Sequence, residues 1–225
     1  MRSLPRSLAP GGASGVAVQR LNPRYRDDIA RHLLQLPADD RRLRFGHQIR
    51  DEAVREYVDR IDFDRDRVFG IQSDDLNLIG MAHLALDPAD GSAELGLSVD
   101  ASRRVKGYGY ALLKRAVLHA ANLGCRTLFM HCLSENAVMM RLARKAGLLV
   151  LVDGSEADAR MKLDRLTHGG VFQEAIADQL ALVDGMLKQQ YLWLRQPGIK
   201  YRDTEAIDEP GNAPGAAQAL QGSTR

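Results

Sequence analysis

The stretch Arg104-Val105-Lys106-Gly107-Tyr108-Gly109 decides the fold, because it stands between a predicted strand and a predicted helix. A loop that enters a helix points several unpaired main-chain N–H groups at one place, which attracts an anion. The glycines let a phosphate approach the main chain, and the basic side chains add charge within the same turn. The stretch therefore predicts a phosphate cradle. Taken by itself, a glycine turn with solvated basic side chains is the alternative.

Two other phosphate-binding motifs do not fit this stretch. A P-loop requires GxxxxGK[ST], which the sequence lacks. A dinucleotide fingerprint requires a third glycine where Leu112 stands, and an acidic residue about 20 positions later, where Leu128 and Phe129 stand. The ligand is therefore predicted to carry a phosphate without belonging to either of these two classes.

The elements around the cradle follow from hydrophobic periodicity and from turn residues. Before it the sequence predicts a strand at Val16–Leu21, short helices after Asn22-Pro23, at Asp39–Phe45 and after Asp51, and strands at Val68–Gln72, Leu76–Leu86 and Glu94–Val99. After it the sequence predicts a helix at Tyr108–Leu123, a strand at Arg126–Leu133, a helix from Ser134 or Asn136 to Gly147, and strands at Leu148–Val152 and Ala159–Leu163. This order predicts an α/β fold with a mixed (α+β) sheet, antiparallel meanders and one or two crossover helices.

The composition is that of a soluble globular protein. Of 225 residues, 45% are hydrophobic and 27% charged, and 31 basic against 29 acidic side chains give a net charge of +2. This balance gives no argument for a nucleic-acid or membrane partner, and no apolar run reaches the roughly 18 residues of a membrane span. Cys125 and Cys132 form no CxxC pair, so no metal site is expected, and the composition fits the cytoplasm.

Four segments are predicted along the chain. Residues 1–14 are predicted to be a flexible leader, 15–166 the folded domain, 167–200 a C-terminal helix and 201–225 a disordered tail rich in Ala, Gly, Pro and Gln. An apolar stripe in the helix at 171–194 predicts packing on the domain or on a second copy, as in a homodimer. The members of the stripe are Phe172, Ile176, Leu180, Val183, Leu187 and Leu194.

At this point the sequence resembles the GNAT superfamily of N-acetyltransferases. Arg104-x-x-Gly107-x-Gly109 matches the [QR]xxGx[GA] loop of that family, with a strand before it and a helix and a strand after it. The later segment Asn136-x-x-Met139-x-x-Leu142-x-x-Lys145-x-Gly147-Leu148 is similar to the second family motif. The resemblance covers about Val16 to Leu163.

Within the superfamily, the sequence is most similar to the acetyltransferase domain of bacterial protein-lysine acetyltransferases. Ala93-Glu94 to Val99 looks like the AE-x4-V strand of those domains, and Asn136 to Ala143 looks like their N-x-x-M-x-x-L-A segment. The charged stretch Asp39–Phe45 looks like a helix that they carry near their start.

The resemblance implies that acetyl-CoA is bound as acyl donor. It implies that the main chain of Leu97, Ser98 and Val99 pairs with the pantetheine arm. It implies that the amides of Arg104, Val105, Lys106, Gly107, Tyr108 and Gly109 hold the diphosphate. Asn136 is implied to contact the pantetheine or to order the site near the thioester.

Catalysis requires a base, since a lysine-type amine has an ordinary pKa near 10.4 and must lose a proton before it attacks. Glu94 is the predicted base, and a charged residue on the solvent side of a strand is the alternative. A glutamate is a weak base, so the prediction requires burial or a relaying water. Ala143 stands where many family members have a tyrosine acid, and Cys132 and Ser134 are reserve donors.

The predicted function is transfer of acetyl from acetyl-CoA to a primary amine by direct attack. A protein lysine is the first acceptor class and a small amine the second. A non-catalytic acetyl-CoA sensor or scaffold is the alternative, because the tyrosine is missing and the C-terminal helix is long. His83 and His131 are interpreted as packed or surface residues.

Overall fold

A seven-stranded mixed sheet, with helices on both faces, forms the centre of the fold. The computed structural model describes residues 16–104, 106–163, 181, 183–189 and 192, which belong to one compact unit. The leader at 1–14, the tail at 201–225, Val105 and most of the segment 167–200 lie outside the described residues. The predicted domain boundaries therefore stay predictions.

The helices and strands follow one another along the chain in the order that the sequence predicts. The strands are β1 Gln19–Leu21, β2 Arg67–Gln72, β3 Leu78–Asp87, β4 Ser92–Val99, β5 Thr127–Leu133, β6 Leu149–Asp153 and β7 Glu156–Lys162. The helices are α1 Arg26–Gln35, α2 Ala38–Phe45, α3 Asp51–Asp59, α4 Tyr108–Asn122 and α5 Ala137–Ala146, with short 3₁₀ turns at Pro23–Tyr25 and Ala101–Arg103.

The strand order is β1-β2-β3-β4-β5-β7-β6. Strands β1 to β4 form an antiparallel meander, β4 and β5 run parallel, and β5, β7 and β6 are antiparallel. The parallel pair requires a crossover, which α4 supplies. The predicted α/β class with a mixed sheet is confirmed.

Two apolar clusters hold helices to opposite faces of the sheet. One contains Leu112 and Leu128 together with other residues of α4, α5 and the sheet, and the other contains Ile29 and Val54 from α1 and α3. Side chains alternate along β3, so Met81 and Ala82 enter different clusters. The sheet is therefore packed between two layers of helices.

Three predicted boundaries shift. The first strand starts at Gln19 rather than Val16. Asn22 accepts a hydrogen bond from the Arg24 N–H and opens a 3₁₀ turn before α1. The last strand starts at Glu156 rather than Ala159, because its buried side chains are alternating small alanines that give little apolar signal.

Part of the predicted C-terminal helix is described. Residues 181, 183–189 and 192 are helical, and Lys188 donates a hydrogen bond to the carbonyl of Gln72 at 3.0 Å. Val183 and Leu187, two members of the apolar stripe, are 49% and 60% exposed. These two side chains are not packed on the domain, and the homodimer stays a prediction. No helix within the described ranges is long and apolar enough to cross a membrane.

Candidate active site

The parallel strands β4 and β5 separate in the middle of the sheet. They pair only from Ser92 with Thr127 to Glu94 with Phe129, although β4 continues to Val99 and β5 to Leu133. Beyond these three pairs a wedge opens, which we call the β4–β5 cleft. It is the place in the sheet where an extended ligand can lie between two strands.

The main chain of β4 is available to such a ligand. The Asp100 N–H donates to the Ile79 carbonyl of the adjacent segment at 2.9 Å. Because hydrogen-bonded pairs alternate along an antiparallel ladder, Ser98 and Gly96 also direct their main chain toward β3. Leu97 and Val99 therefore direct theirs toward the β4–β5 cleft.

The predicted phosphate cradle lies at the start of α4. Gly107 has φ +80° and precedes the helix, and its carbonyl accepts the first helical bond from Ala111 at 3.0 Å. No side chain among the described residues caps this helix, and its first turn has no acidic residue. Its first N–H groups are thus directed outward without a helical partner, as an anion site needs.

Gly109 brings the first turn of α4 close to the cleft. A Cβ at this position would lie 3.4 Å from Leu142, 3.7 Å from Leu97 and 3.9 Å from Val99, all ordinary contacts. These three side chains line the cleft. Gly109 thus faces the ligand space, while the protein itself leaves room for a methyl group there.

The cleft opens, between the end of β4, the start of α4 and α5, into a cavity of about 390 Å³ that unites most of the residues predicted to bind acetyl-CoA. Those that line it are Leu97, Ser98, Val99, Arg104, Gly107, Tyr108, Gly109 and Asn136. Lys106 is exposed in the same loop. The Ser98 hydroxyl bonds to His32 Nε2 at 2.9 Å, so this side chain is directed toward α1.

Two ion pairs connect α2 to the walls of the β4–β5 cleft. Arg104 pairs with Asp40 at 2.6 Å, and Arg42 pairs with Glu135 in the turn before α5. The Arg42 guanidinium lowers the pKa of the Glu135 carboxyl through their hydrogen bond. The guanidinium of Arg104, predicted as a free positive charge of the cradle, is thus engaged with Asp40 in this structure.

A second cavity of about 420 Å³ adjoins the cleft, and we call it the acidic cavity. Glu94, Glu156 and Asp158 line it. It shares wall residues with the cleft, namely Leu43, Arg44, Leu97, Asn136 and Met139. Glu94 is exposed, so the burial that the base prediction asked for is not present.

Arg44 lies at the junction of the two cavities. Its guanidinium occupies the space above Gly96 of β4, where an added Cβ would lie 2.2 Å from Arg44 Nη2. The same nitrogen donates to the Tyr57 hydroxyl at 2.8 Å. Gly96 thus permits the close approach of Arg44, a residue of the charged stretch Asp39–Phe45, to the main chain of β4.

A buried polar chain continues from Tyr57 into the protein. The Tyr57 hydroxyl lies 2.6 Å from His83 Nδ1, and His83 Nε2 lies 3.2 Å from the Asp66 carboxylate. Burial lowers the pKa of His83, although Asp66 acts against this. Burial alone would raise the pKa of Asp66, but hydrogen bonds from Arg65 and His83 bring it below its ordinary value.

The residues considered as proton donors occupy other environments. Ala143 is buried in the core, at the position of the tyrosine in many relatives. Burial first, and the Asp158 charge second, raise the pKa of the Cys132 thiol. The Ser134 hydroxyl donates to the Gly154 carbonyl at 3.1 Å. A thiol with a raised pKa is a poor acid for a departing thiolate, so none of these side chains replaces the tyrosine.

Asn136 has a structural task of its own. Its side-chain oxygen accepts a hydrogen bond from the Met139 N–H at 3.1 Å and caps α5. Its amide NH₂ group can still donate toward either cavity. Asn136 therefore fixes the start of α5 beside the cleft.

Sequence reasoning missed a pair on the wall of the acidic cavity. His131 Nδ1 lies 2.5 Å from Asp158 Oδ1, and both residues line this cavity. The predicted last strand began at Ala159, so Asp158 had no place in the sheet, and no local signal joins residues that are 27 positions apart. Among the described residues, no group of three or more His, Cys, Asp and Glu could hold a metal ion.

Comparison with known proteins gives the family. The model of the acetyltransferase (GNAT) family matches residues 31–148, which is more than half of the chain. The chain belongs to this family. It is thus an acetyl-CoA-dependent N-acetyltransferase, as the resemblance of the sequence implies, and the sensor alternative is set aside. No curated protein matches the sequence significantly.

Solved structures share the fold of this family member. The GNAT domain of PAT from S. lividans is 18% identical with a TM-score of 0.56, covering 65% of this chain and 89% of that one. The putative acetyltransferase yncA from Salmonella typhimurium, solved with acetyl-CoA, is 16% identical with a TM-score of 0.52, covering 68% and 97%. A chimera of the spermidine N-acetyltransferase SpeG from Vibrio cholerae and hSSAT is 18% identical with a TM-score of 0.52, covering 68% of this chain and 96% of that one.

Proposed function

We propose that this acetyltransferase acetylates primary amines, with the lysine of a protein as the first acceptor class and a small amine as the second. The observation that carries the proposal is the acidic cavity, whose wall contains Glu94, Glu156 and Asp158 and adjoins the β4–β5 cleft. An amine is a cation before it reacts, and carboxylates attract it. The exposure of Glu94 and Asp158 leaves the cavity accessible to a side chain presented by another protein.

In this proposal the chain binds the donor mainly through its main chain. Leu97 and Val99 donate and accept hydrogen bonds along the pantetheine arm, as a neighbouring strand would. The N–H groups at the start of α4, from Gly107 to Gly109, hold the diphosphate. Asn136 donates its amide N–H near the thioester. Acetyl-CoA supplies the activated acetyl group.

The acceptor is placed by charge. Glu94 meets the ammonium group and accepts its proton, directly or through a water. The free amine then attacks the thioester carbonyl, the new C–N bond forms and the C–S bond breaks. Coenzyme A leaves as the thiolate and takes up the proton that remains on the amide nitrogen. Cys132 keeps its proton because its pKa is raised, which supports direct transfer over an acyl-cysteine intermediate.

The test uses purified protein with acetyl-CoA and a panel of acceptors: lysine-containing peptides, a folded protein extract and polyamines. Glu94→Gln is expected to lose most of the rate, by about 100-fold, while calorimetry shows unchanged acetyl-CoA binding. Glu52→Gln is the matched control, since this exposed carboxylate of α3 lines neither cavity.

Full activity of Glu94→Gln would contradict the role of Glu94. Turnover of polyamines without any turnover of peptides or proteins would reverse the order of the two acceptor classes.

A further inference from the structure

Three polar side chains of the acidic cavity, those of Glu94, His131 and Asp158, lie on one face of the sheet. Glu94 of β4 is in register with Phe129 of β5, and His131 lies two residues further along β5 on the same face. Asp158 of β7 is in register with His131. The carboxylate of Glu94 and the imidazole of His131 thus share a face at the end of the paired segment, where β4 and β5 begin to separate.

The geometry fixes the tautomer of His131. An ionised carboxylate only accepts hydrogen bonds, so the contact with Asp158 at 2.5 Å places the proton of the neutral ring on Nδ1. Nε2 then keeps its lone pair. Within the described part of the chain Nε2 has no hydrogen-bond partner, and the side chain is 59% exposed.

The exposed Glu94 needs such a neighbour. A carboxylate in contact with solvent is a weak base for an ammonium group, whereas an imidazole ordinarily titrates near 6.5 and holds a proton at neutral pH far more readily. In such an arrangement the aspartate carboxylate orients the imidazole ring, and the ring accepts the proton of the reacting group. The arrangement needs no movement of the main chain.

We propose that His131, oriented by Asp158, is the group that finally holds the ammonium proton, and that Glu94 binds the acceptor cation and passes this proton on to His131. The inference rests on the proposed function and deepens it. The ammonium proton passes from Glu94 to His131 Nε2, directly or through a water, and the imidazole becomes imidazolium. The amine nitrogen forms the C–N bond as the C–S bond breaks, and the proton left on that nitrogen goes to the departing thiolate. The imidazolium returns its proton to water.

Other titratable or charged groups face this site and enter its pH dependence. They are Glu94 of β4, Cys132 of β5, Glu156 and Asp158 of β7, Arg44 of α2 and His47 of the loop after α2.

The experiment measures kcat and KM from pH 5.5 to 9 for the wild type, His131→Gln, Asp158→Asn and Glu156→Gln. His131→Gln is expected to lower kcat about 100-fold and to remove the fall in kcat toward acid pH, with KM for acetyl-CoA retained. Asp158→Asn is also expected to lower kcat, because an amide can hold the ring in the wrong tautomer although the imidazole is still present. Asp158 is thus a positioning residue.

Glu156→Gln is the matched control, since it removes one carboxylate from the same strand and cavity without a contact to His131. It is expected to raise the KM of the amine and to keep the acid limb of the kcat profile. Imidazole added to His131→Ala is expected to restore part of kcat, since the site is open to solvent.

The outcomes separate the two proposals. A wild type that binds acetyl-CoA but turns over no amine contradicts the proposed function. A wild type that is active, with an equally active His131→Gln that keeps the acid limb, overturns the role of His131 alone.

Discussion

At the scale of single residues, the two glycines of the cradle are required for different reasons. Gly107 has φ +80°, where any other residue is strained, and nothing lies within 4 Å of its absent side chain. Gly109 has ordinary helical geometry at the start of α4, and the space beside it is ligand space. The first glycine is therefore required by the conformation of the loop, and the second by what the loop binds.

Gly109→Ala is expected to weaken acetyl-CoA binding at least about 10-fold while leaving the free energy of unfolding unchanged, or raised by less than about 1 kcal/mol. The added methyl group fits the protein but occupies the space where the diphosphate approaches the helix. Calorimetric titration and denaturant unfolding measure the two quantities. Gly107→Ala is the contrasting variant, with a stability loss of about 1–2 kcal/mol from its left-handed φ. Wild-type affinity in Gly109→Ala would contradict a close approach at this residue.

The residue scale also shows what the sequence could and could not reveal. The glycines form a short motif whose local chemistry predicts an anion site, whereas the place of Asn136 beside that site was implied by the family resemblance. Arg44 and His131 act through neighbours that are distant along the chain, Gly96 and Asp158. Such pairs depend on strand order and register, which hydrophobic periodicity does not specify.

At the scale of elements, a buried chain of polar groups joins α3 to the sheet. Hydrogen bonds link Tyr57 of α3 to His83 of β3, and His83 to the Asp66 side chain before β2. Asp66 also accepts a hydrogen bond from the Leu86 N–H at 3.3 Å. Arg44 extends the chain to the junction of the two cavities. The position of Arg44 above β4 therefore depends on three elements at once.

Stability should fall as the pH is lowered below about 6.5, the ordinary pKa of histidine. Burial lowers the pKa of His83 in the folded state, so the unfolded chain binds a proton more readily. The stabilisation is present above about pH 6.5 and is lost as the pH falls toward the lowered pKa, by up to about 1.4 kcal/mol per pH unit for one proton. The lowered pKa of Asp66 adds a loss of the same sign, below about pH 4.

Urea unfolding at pH 7.5 and at pH 5.5 measures this loss. His83→Gln is expected to be less stable at pH 7.5 and to show a smaller difference between the two pH values. His47→Gln, a change at an exposed histidine, is the control and should keep the wild-type difference. If His83→Gln keeps the wild-type difference in the free energy of unfolding between pH 7.5 and pH 5.5, the pH dependence comes from other groups.

The elements themselves were largely predictable from sequence. Strong periodicity located α4 and the strands of the meander, and turns at 74–75 and 154–155 separate neighbouring strands. The prediction for β7 began too late because Ala157 is the buried residue of the missed segment, and alanine is not specific to strands. The pairing of β7 between β5 and β6 is a tertiary property without a local signal.

At the scale of the whole molecule, acetyl-CoA should stabilise the fold. At a free concentration of 100 times Kd the gain is about 2.7 kcal/mol, which corresponds to a rise in Tm of roughly 5–10 °C for a domain of this size. Differential scanning fluorimetry measures the shift. S-acetylpantetheine, which has the arm without the diphosphate, is the matched control and is expected to give a much smaller shift. A folded protein with no shift at saturating acetyl-CoA would contradict the assigned cradle.

The separation of β4 and β5 has a consequence for the sheet as a whole. Most sheets satisfy their interior peptide groups with other strands of the same chain, whereas here no described strand pairs with the main chain of Leu97 and Val99 on the side of the cleft. In the proposed complex the substrate supplies the missing ladder partner, and the protein gains a continuous sheet only while it holds its donor. This recognition depends on the main chain of β4 and not on its side chains. The sequence of β4 can therefore vary without loss of donor binding, as long as the strand stays extended.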